Sequence, residues 1–144
     1  LNQAIDNFEF KSYEKSLDVK DFDTSFVKGL SFEDGCATLT KFTAYLIVDG
    51  LKKTNKKNDI NPHQYIFCGG GRKNKFLMQS IENYLENKNI IINDIDNYNF
   101  DGNFIESQAF AYLAIRSYLK LPITFPSTTR CKKTISGGDI LQNF

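Results

Sequence analysis

An α/β fold, with helices packed on a small and partly parallel sheet, is expected from three observations. Two short apolar runs rich in β-forming residues, 65–68 (Tyr-Ile-Phe-Cys) and 89–92 (Asn-Ile-Ile-Ile), are each closed by turn residues. Segments with helical spacing precede, separate and follow them, so the order is helix, strand, helix, strand, helix. The connections are short, which favours neighbouring parallel strands with helical crossovers. The chain has 144 residues, the size of one ordinary domain, and 41% of them are hydrophobic. Two strands are few for a sheet, so either further strands in this sequence lack a clear pattern or they lie upstream of Leu1.

The elements follow in order. Residues 1–8 read as the end of a helix, and residues 9–22 as loop. A short helix is expected over 19–27, with Gly29 as its stop. Asp23-Thr24-Ser25 reads as a helix cap. Ser31 followed by Asp34 resembles a capping box. Cys36, Leu39, Thr43, Leu46, Ile47 and Leu51 then recur at helical spacing, which predicts a helix to about Lys53. Residues 54–62 are polar and turn-rich and read as loop. Gly69-Gly70-Gly71 breaks the first strand. A helix over 74–86 presents Leu77, Ile81, Tyr84 and Leu85 on one face. Residues 93–101 read as polar loop in which Asp94 and Asp96 are solvated. A third helix is expected from near Asn103 to Lys120, with Ile105, Ala109, Tyr112, Leu113 and Arg116 on its inner stripe. Pro122 and Pro126 end it and set an extended tail, and Gly137-Gly138 marks a last turn before Ile140-Leu141.

Composition excludes several classes of function. Eighteen Lys and Arg stand against 17 Asp and Glu, a net charge of +1, so the basic excess expected of a nucleic-acid binder is absent. No apolar run approaches the ~20 residues a membrane helix needs. The chain opens Leu1-Asn2-Gln3-Ala4 without a basic patch and apolar run, so no signal peptide is expected, and the absence of Met suggests a missing natural start. The cysteines, Cys36, Cys68 and Cys131, are odd in number and widely spaced, which argues against a disulfide framework or zinc site and fits a reducing cytoplasm. The single His63 lies in a turn and is given no role. Lys outnumbers Arg 15 to 3, and Asn and Ile are also abundant. This is the codon bias of an AT-rich, bacterial genome. Lys52, Lys53, Lys56 and Lys57 therefore read as a solvated helix end.

Two segments could carry chemistry. Gly69, Gly70 and Gly71 sit between a buried strand and a helix, where open α/β sheets bind ligands. Glycines there let a nucleotide approach the backbone, and the helix start offers free N–H donors. The segment is neither a Walker loop nor Gly-x-Gly-x-x-Gly, because Lys73, Asn74 and Lys75 occupy the later places. Ligand contact and a plain tight turn both stay open. The second segment, Asp101-Gly102-Asn103-Phe104-Ile105-Glu106, joins a turn to a helix start with an acid in its first turn. Taken alone, Glu106 reads as complementing the helix dipole.

Several ordered blocks together resemble the C-terminal part of the anhydro-N-acetylmuramic acid kinase family. Lys15-Ser16-Leu17-Asp18-Val19-Lys20-Asp21-Phe22 resembles its Lys-Ser-x-x-Arg-x-x-Phe-like segment. Ala37-Thr38-Leu39-Thr40-Lys41-Phe42-Thr43-Ala44 resembles Ala-Thr-Leu-x-x-x-Thr-Ala. Cys68-Gly69-Gly70-Gly71-Arg72-Lys73-Asn74-Lys75-Phe76-Leu77-Met78 is similar to Cys-Gly-Gly-Gly-x-x-Asn-x-x-Leu-Met. Glu106-Ser107-Gln108-Ala109-Phe110-Ala111-Tyr112-Leu113-Ala114 is similar to Glu-Ala-x-Ala-Phe-Ala-x-Leu-Ala. Pro122, Pro126, Thr129 and Gly138 fall where the family's closing segment has such residues, although its Thr-Gly-Ala is Thr129-Arg130-Cys131 here.

The resemblance implies one lobe of an actin-like ATPase (ribonuclease H-like) fold, with residues 1–144 as a single domain and the N-terminal lobe outside the chain. It implies an enzyme that hydrates the 1,6-anhydro bond of a recycled cell-wall sugar and phosphorylates O6 with ATP and Mg²⁺. Gly69, Gly70 and Gly71 would line the adenosine and α-phosphate side. Asn74 would cap the next helix beside the nucleotide, and Glu106 would hydrogen-bond sugar hydroxyls. The family's Asp-Thr-Gly-Pro-Gly motif, with its catalytic base, and its Gly-Thr-Ser-x-Asp-Gly motif are absent from these residues and are expected upstream. The chain alone is then expected to be inactive. No metal ligand is assigned in this chain. The partners implied are the small-molecule sugar and ATP, without nucleic acid or membrane, and the family leaves a homodimer open. Another sugar or acetate kinase, or a degenerate nucleotide-binding module, remain the alternatives.

Overall fold

The computed structural model describes residues 1–9, 18–86, 89–139 and 141. Lys15, Ser16 and Leu17 of the first family block, and Ile140 of the closing turn, lie outside them. The chain is α/β. Helix α1 spans Asn2–Glu9, and 3-10 turns follow at Val19–Asp21 and Ser25–Val27 in place of the single short helix expected there. Asp18 caps the first turn, and Asp23 accepts from the amide and hydroxyl of Ser25 at its foot. These local bonds suit turns better than a continuous helix. Helix α2 spans Phe32–Asn58, β1 Gln64–Phe67, α3 Lys75–Leu85, β2 Ile91–Asp94, α4 Ile105–Tyr118 and α5 Pro126–Thr129.

Helix α2 is the spine. Ser31 caps it, its Oγ accepting from the Asp34 amide at 3.1 Å, as the capping pattern predicts. It runs five residues past the expected end. Lys56 and Lys57 sit in its last turn, where the helix dipole favours cations. The Asn55 side chain donates to the Tyr65 hydroxyl at 2.5 Å, fixing the last turns to the sheet. Polar residues that read as loop are thus a helix end held from outside, and the left-handed Asp59 closes it. Of the four lysines there, Lys53 pairs with Asp49 and Lys52 donates to the Tyr84 carbonyl.

Two clusters bury two faces of the middle of α2. Ala44 and Val48 pack with Ile81 and Leu85 of α3, and Tyr65, Phe67, Leu77 and Ile92 close around them. Phe42 packs with Ala4 and Phe8 of α1, and the Phe8 ring stacks on Phe22 with centroids 5.6 Å apart. The apolar face expected of α3 therefore forms the centre of the larger cluster.

Strands β1 and β2 are parallel neighbours, in register from Gln64 opposite Ile91 to Phe67 opposite Asp94. Strand β2 begins two residues later than its apolar run suggested. Pairing with β1 sets its limits: Ile91 donates to the His63 carbonyl, and Asn93 reaches Gln64. Asp94 consequently ends the strand instead of floating in a loop.

Helix α4 departs most from expectation. It starts at Ile105 because Asp101 first closes a turn, accepting from the Asn103 amide at 2.9 Å. Ile105, Leu113 and Arg116 of the expected stripe are half-buried, but Ala109 and Tyr112 are exposed. Phe110 (64%), Ile115 (59%) and Tyr118 (69%) also face outward, so the helix is apolar on more than its packed side. Arg116 donates to the Pro122 carbonyl at 2.7 Å and so ties down the tail. The tail is not wholly extended. Pro126 opens the short helix α5, a position where its missing N–H costs nothing, and Thr124 bridges Ile135 in antiparallel fashion.

Candidate functional site

Parallel pairing puts the carboxyl ends of β1 and β2 side by side; β1 leads directly into the glycine triplet, and β2 leads through a short connection to the 101–106 segment. After β1, Cys68 leads into Gly69, which adopts φ +81, a conformation that disfavours any side chain. A 3-10 turn, Gly70–Lys73, follows, and Asn74 then caps α3, its Oδ1 accepting from the Leu77 amide at 3.1 Å. The capping expected of Asn74 is therefore present. After β2, the chain makes a 3-10 turn at Ile95–Tyr98, then the Asp101 turn, and enters α4 with Glu106 in its first turn.

The two segments touch. The Gly69 amide donates to the Gly102 carbonyl at 3.0 Å. The glycine turn and the start of the Glu106 helix thus share one end of the sheet, as a single ligand site would require. The three glycines are not equivalent. A side chain at Gly69 or Gly70 would meet nothing within 4 Å, so the backbone there lies against open space a ligand could fill. At Gly71 it would meet Leu77 at 3.7 Å, so that glycine faces α3. Glu106 is exposed.

Arg72 is the residue that sequence reasoning missed. Its side chain is only 4% exposed. Its Nε lies 3.0 Å from Asp94 Oδ1, and its Nη2 lies 2.6 Å from Asp96 Oδ2. Nη1 donates to the Gly69 carbonyl at 2.8 Å. Asp96 in turn accepts from the Gly102 amide at 2.7 Å. Asp94 and Asp96 are therefore ion-paired, which corrects their reading as solvated loop acids. The Gly102 amide first, and the Arg72 guanidinium beside it, hold the Asp96 carboxyl below the usual carboxylate range. The hydrogen bond to Asp96, reinforced by both carboxylates, raises the pKa of Arg72 above its ordinary value despite desolvation. One signal in the sequence could have found this group. In a chain that uses Lys 15 times and Arg 3 times, an Arg directly after the glycine triplet marks a place where a planar fork is needed.

Comparison with known proteins bears on what this end of the sheet does. The family model for anhydro-N-acetylmuramic acid kinase matches residues 6–143. The chain belongs to the anhydro-N-acetylmuramic acid kinase family. An anhydro-N-acetylmuramic acid kinase of Pelagibacter ubique (strain HTCC1062) is 54% identical over 146 residues, covering 100% of this chain and 39% of the relative. One of Brucella canis (strain ATCC 23365 / NCTC 10854 / RM-666) is 39% identical over 127 residues, 88% of this chain and 33% of the relative. An anhydro-N-acetylmuramic acid kinase 2 of Jannaschia sp. (strain CCS1) is 37% identical over 130 residues, 90% of this chain and 32% of the relative. The chain thus spans well under half the length of these curated kinases. Within this kinase family chain, the described residues include no group of three His, Cys, Asp or Glu side chains placed to hold a metal ion. What the site offers is backbone: open glycines, a capped helix start and a fixed turn. Among the described residues no helix is long and apolar enough to cross a membrane.

Proposed function

We propose that this chain is the C-terminal lobe of an actin-like, two-lobed kinase that hydrates the 1,6-anhydro bond of anhydro-N-acetylmuramic acid and phosphorylates O6 with ATP. The observation that carries the reading is the bond between Gly69 and Gly102, which brings the glycine turn and the Glu106 helix start together in a member of this family. The outward aromatic residues of α4 support the reading of a lobe, since a monomer rarely leaves so much apolar surface uncovered.

Gly69 and Gly70 let the nucleotide lie against the backbone, and their open surroundings fit it. Asn74 holds the first turn of α3 in place beside it. Gly71 serves that side from the part of the turn that faces Leu77 of α3. Glu106 accepts hydrogen bonds from sugar hydroxyls and orients the ring. ATP supplies the phosphoryl group, and Mg²⁺ offsets its charge when bound. The proton-abstracting base belongs to the Asp-Thr-Gly-Pro-Gly motif, which these 144 residues do not contain. The reaction is cytoplasmic cell-wall sugar recycling.

The test compares the full-length protein with the 144-residue chain, each given ATP, Mg²⁺ and anhydro-N-acetylmuramic acid. Phosphorylated product is expected from the full-length protein alone. Product from the isolated chain, or none from the full-length protein, overturns the reading. Glu106→Gln is expected to raise KM for the sugar about tenfold while KM for ATP holds, the cost of one charge-assisted hydrogen bond.

A further inference from the structure

We infer that Arg72 is a positioning residue that couples the two halves of the site, so that occupancy of the glycine turn and of the Glu106 helix start each strengthen the other. The inference rests on the proposed function, because it takes the two halves to be nucleotide and sugar subsites.

The geometry sets Arg72 apart from a phosphate contact. A cation beside a glycine turn would ordinarily be read as meeting a ligand phosphate. This one is buried, and its fork is already engaged by Asp94, Asp96 and the Gly69 carbonyl. Each partner lies on a different part of the site. Gly69 belongs to the turn after β1, Asp94 ends β2, and Asp96 begins the connection to α4. Asp96 then passes the constraint to Gly102 through the amide it accepts, and Gly102 closes the circle by accepting from Gly69. Gly102 also has no room for more than a hydrogen. An added Cβ would lie 2.6 Å from Arg72 Cζ and 2.7 Å from Ile95 Cγ2. A ligand that orders the glycine turn therefore orders the guanidinium, and through it the start of α4. Such coupling is reciprocal by thermodynamic necessity.

The test uses the full-length protein with Mg²⁺, ADP and anhydro-N-acetylmuramic acid. Calorimetry gives the factor by which the saturating sugar changes the Kd of ADP. Hydrogen exchange reports the Gly69 and Gly102 amides in the absence of ligand. Arg72→Lys keeps the charge and loses the fork. The wild-type factor is expected to fall about tenfold toward one in this variant, within the usual range of coupling. The Gly102 amide is expected to exchange about tenfold faster. Asp96→Asn keeps an acceptor for Gly102 and loses the charge facing Arg72, so it is expected to show a smaller loss of coupling. It carries the test if Arg72→Lys does not fold. Coupling that persists in the variants while Gly102 exchange quickens overturns the inference and leaves the kinase reading standing. A wild-type factor of one also overturns it. A wild-type protein that binds neither ligand, with its Gly102 amide still protected, overturns the kinase reading and this inference with it.

Discussion

Replacing Gly102 with Ala is the most direct probe of how the two segments are held together. The φ of Gly102 lies outside the left-handed region, so backbone strain does not enter. The effect is steric. A new methyl group would lie 2.6 Å from Arg72 Cζ, 2.8 Å from Arg72 Nε and 2.7 Å from Ile95 Cγ2. Carbon contacts are comfortable at about 3.5–4.0 Å, so each neighbour must retreat by about 1 Å. An arginine tip usually yields cheaply. This one is held by two carboxylates and a carbonyl, and moving it breaks those bonds. The expected cost is therefore that of overpacking a filled interior, about 1–3 kcal/mol. Urea unfolding of the wild-type and variant proteins measures it. The same substitution in an Arg72→Ala background separates the two nearest obstacles, because of the three nearest atoms only Ile95 Cγ2, at 2.7 Å, is then left in the way. Its cost must be smaller there. An unchanged unfolding midpoint for Gly102→Ala, or an equal cost in both backgrounds, would refute the packing argument.

Three further outcomes follow from the same structure. Ile81 is 0% exposed at the centre of the larger cluster, so Ile81→Ala is expected to cost about 2–5 kcal/mol in urea unfolding. Arg130 adopts φ +57, so Arg130→Gly removes a left-handed penalty of roughly 1–2 kcal/mol against an added chain entropy of about 0.5–1 kcal/mol, a net gain of about 0.5 kcal/mol in the same assay. The folded pKa of Asp96 lies below its ordinary value, so its contribution to stability is complete above the usual carboxylate range and is lost as pH falls through the folded pKa. Unfolding midpoints measured from neutral to acid pH should therefore fall less steeply for Asp96→Asn than for the wild-type protein.

Much of this arrangement is legible in local sequence. Ser31 with Asp34 marks the start of α2 because a cap needs only residues three apart. Leu77, Ile81 and Leu85 mark the buried face of α3 for the same reason, and Asn74 before them marks its start. The misreadings share a physical cause, which is distance along the chain. The last turn of α2 looks like loop until Tyr65 is found holding Asn55. Strand β2 slides two residues because its limits are set by β1 and not by its own apolar run. Asp94 and Asp96 lie 22 and 24 residues from Arg72, and no periodicity links charges so far apart. The glycine triplet could be found from its place between strand and helix. The clamp beneath it could not.

That clamp also explains how so small a sheet can position a site. Two strands of four residues form few ladder bonds, and the segments leaving them would splay if nothing else joined them. Apolar packing cannot do this at the strand ends, where the backbone must stay open to solvent and ligand. A fork between the Arg72 guanidinium and two partly exposed carboxylates can, because it fixes direction as well as distance and satisfies the carbonyl and amide groups that the turns leave over. The glycine turn is therefore not a self-contained motif. Its shape is set jointly by Asp94, Asp96 and Gly102, and a change at any of these should alter the turn as surely as a change at Gly70 itself.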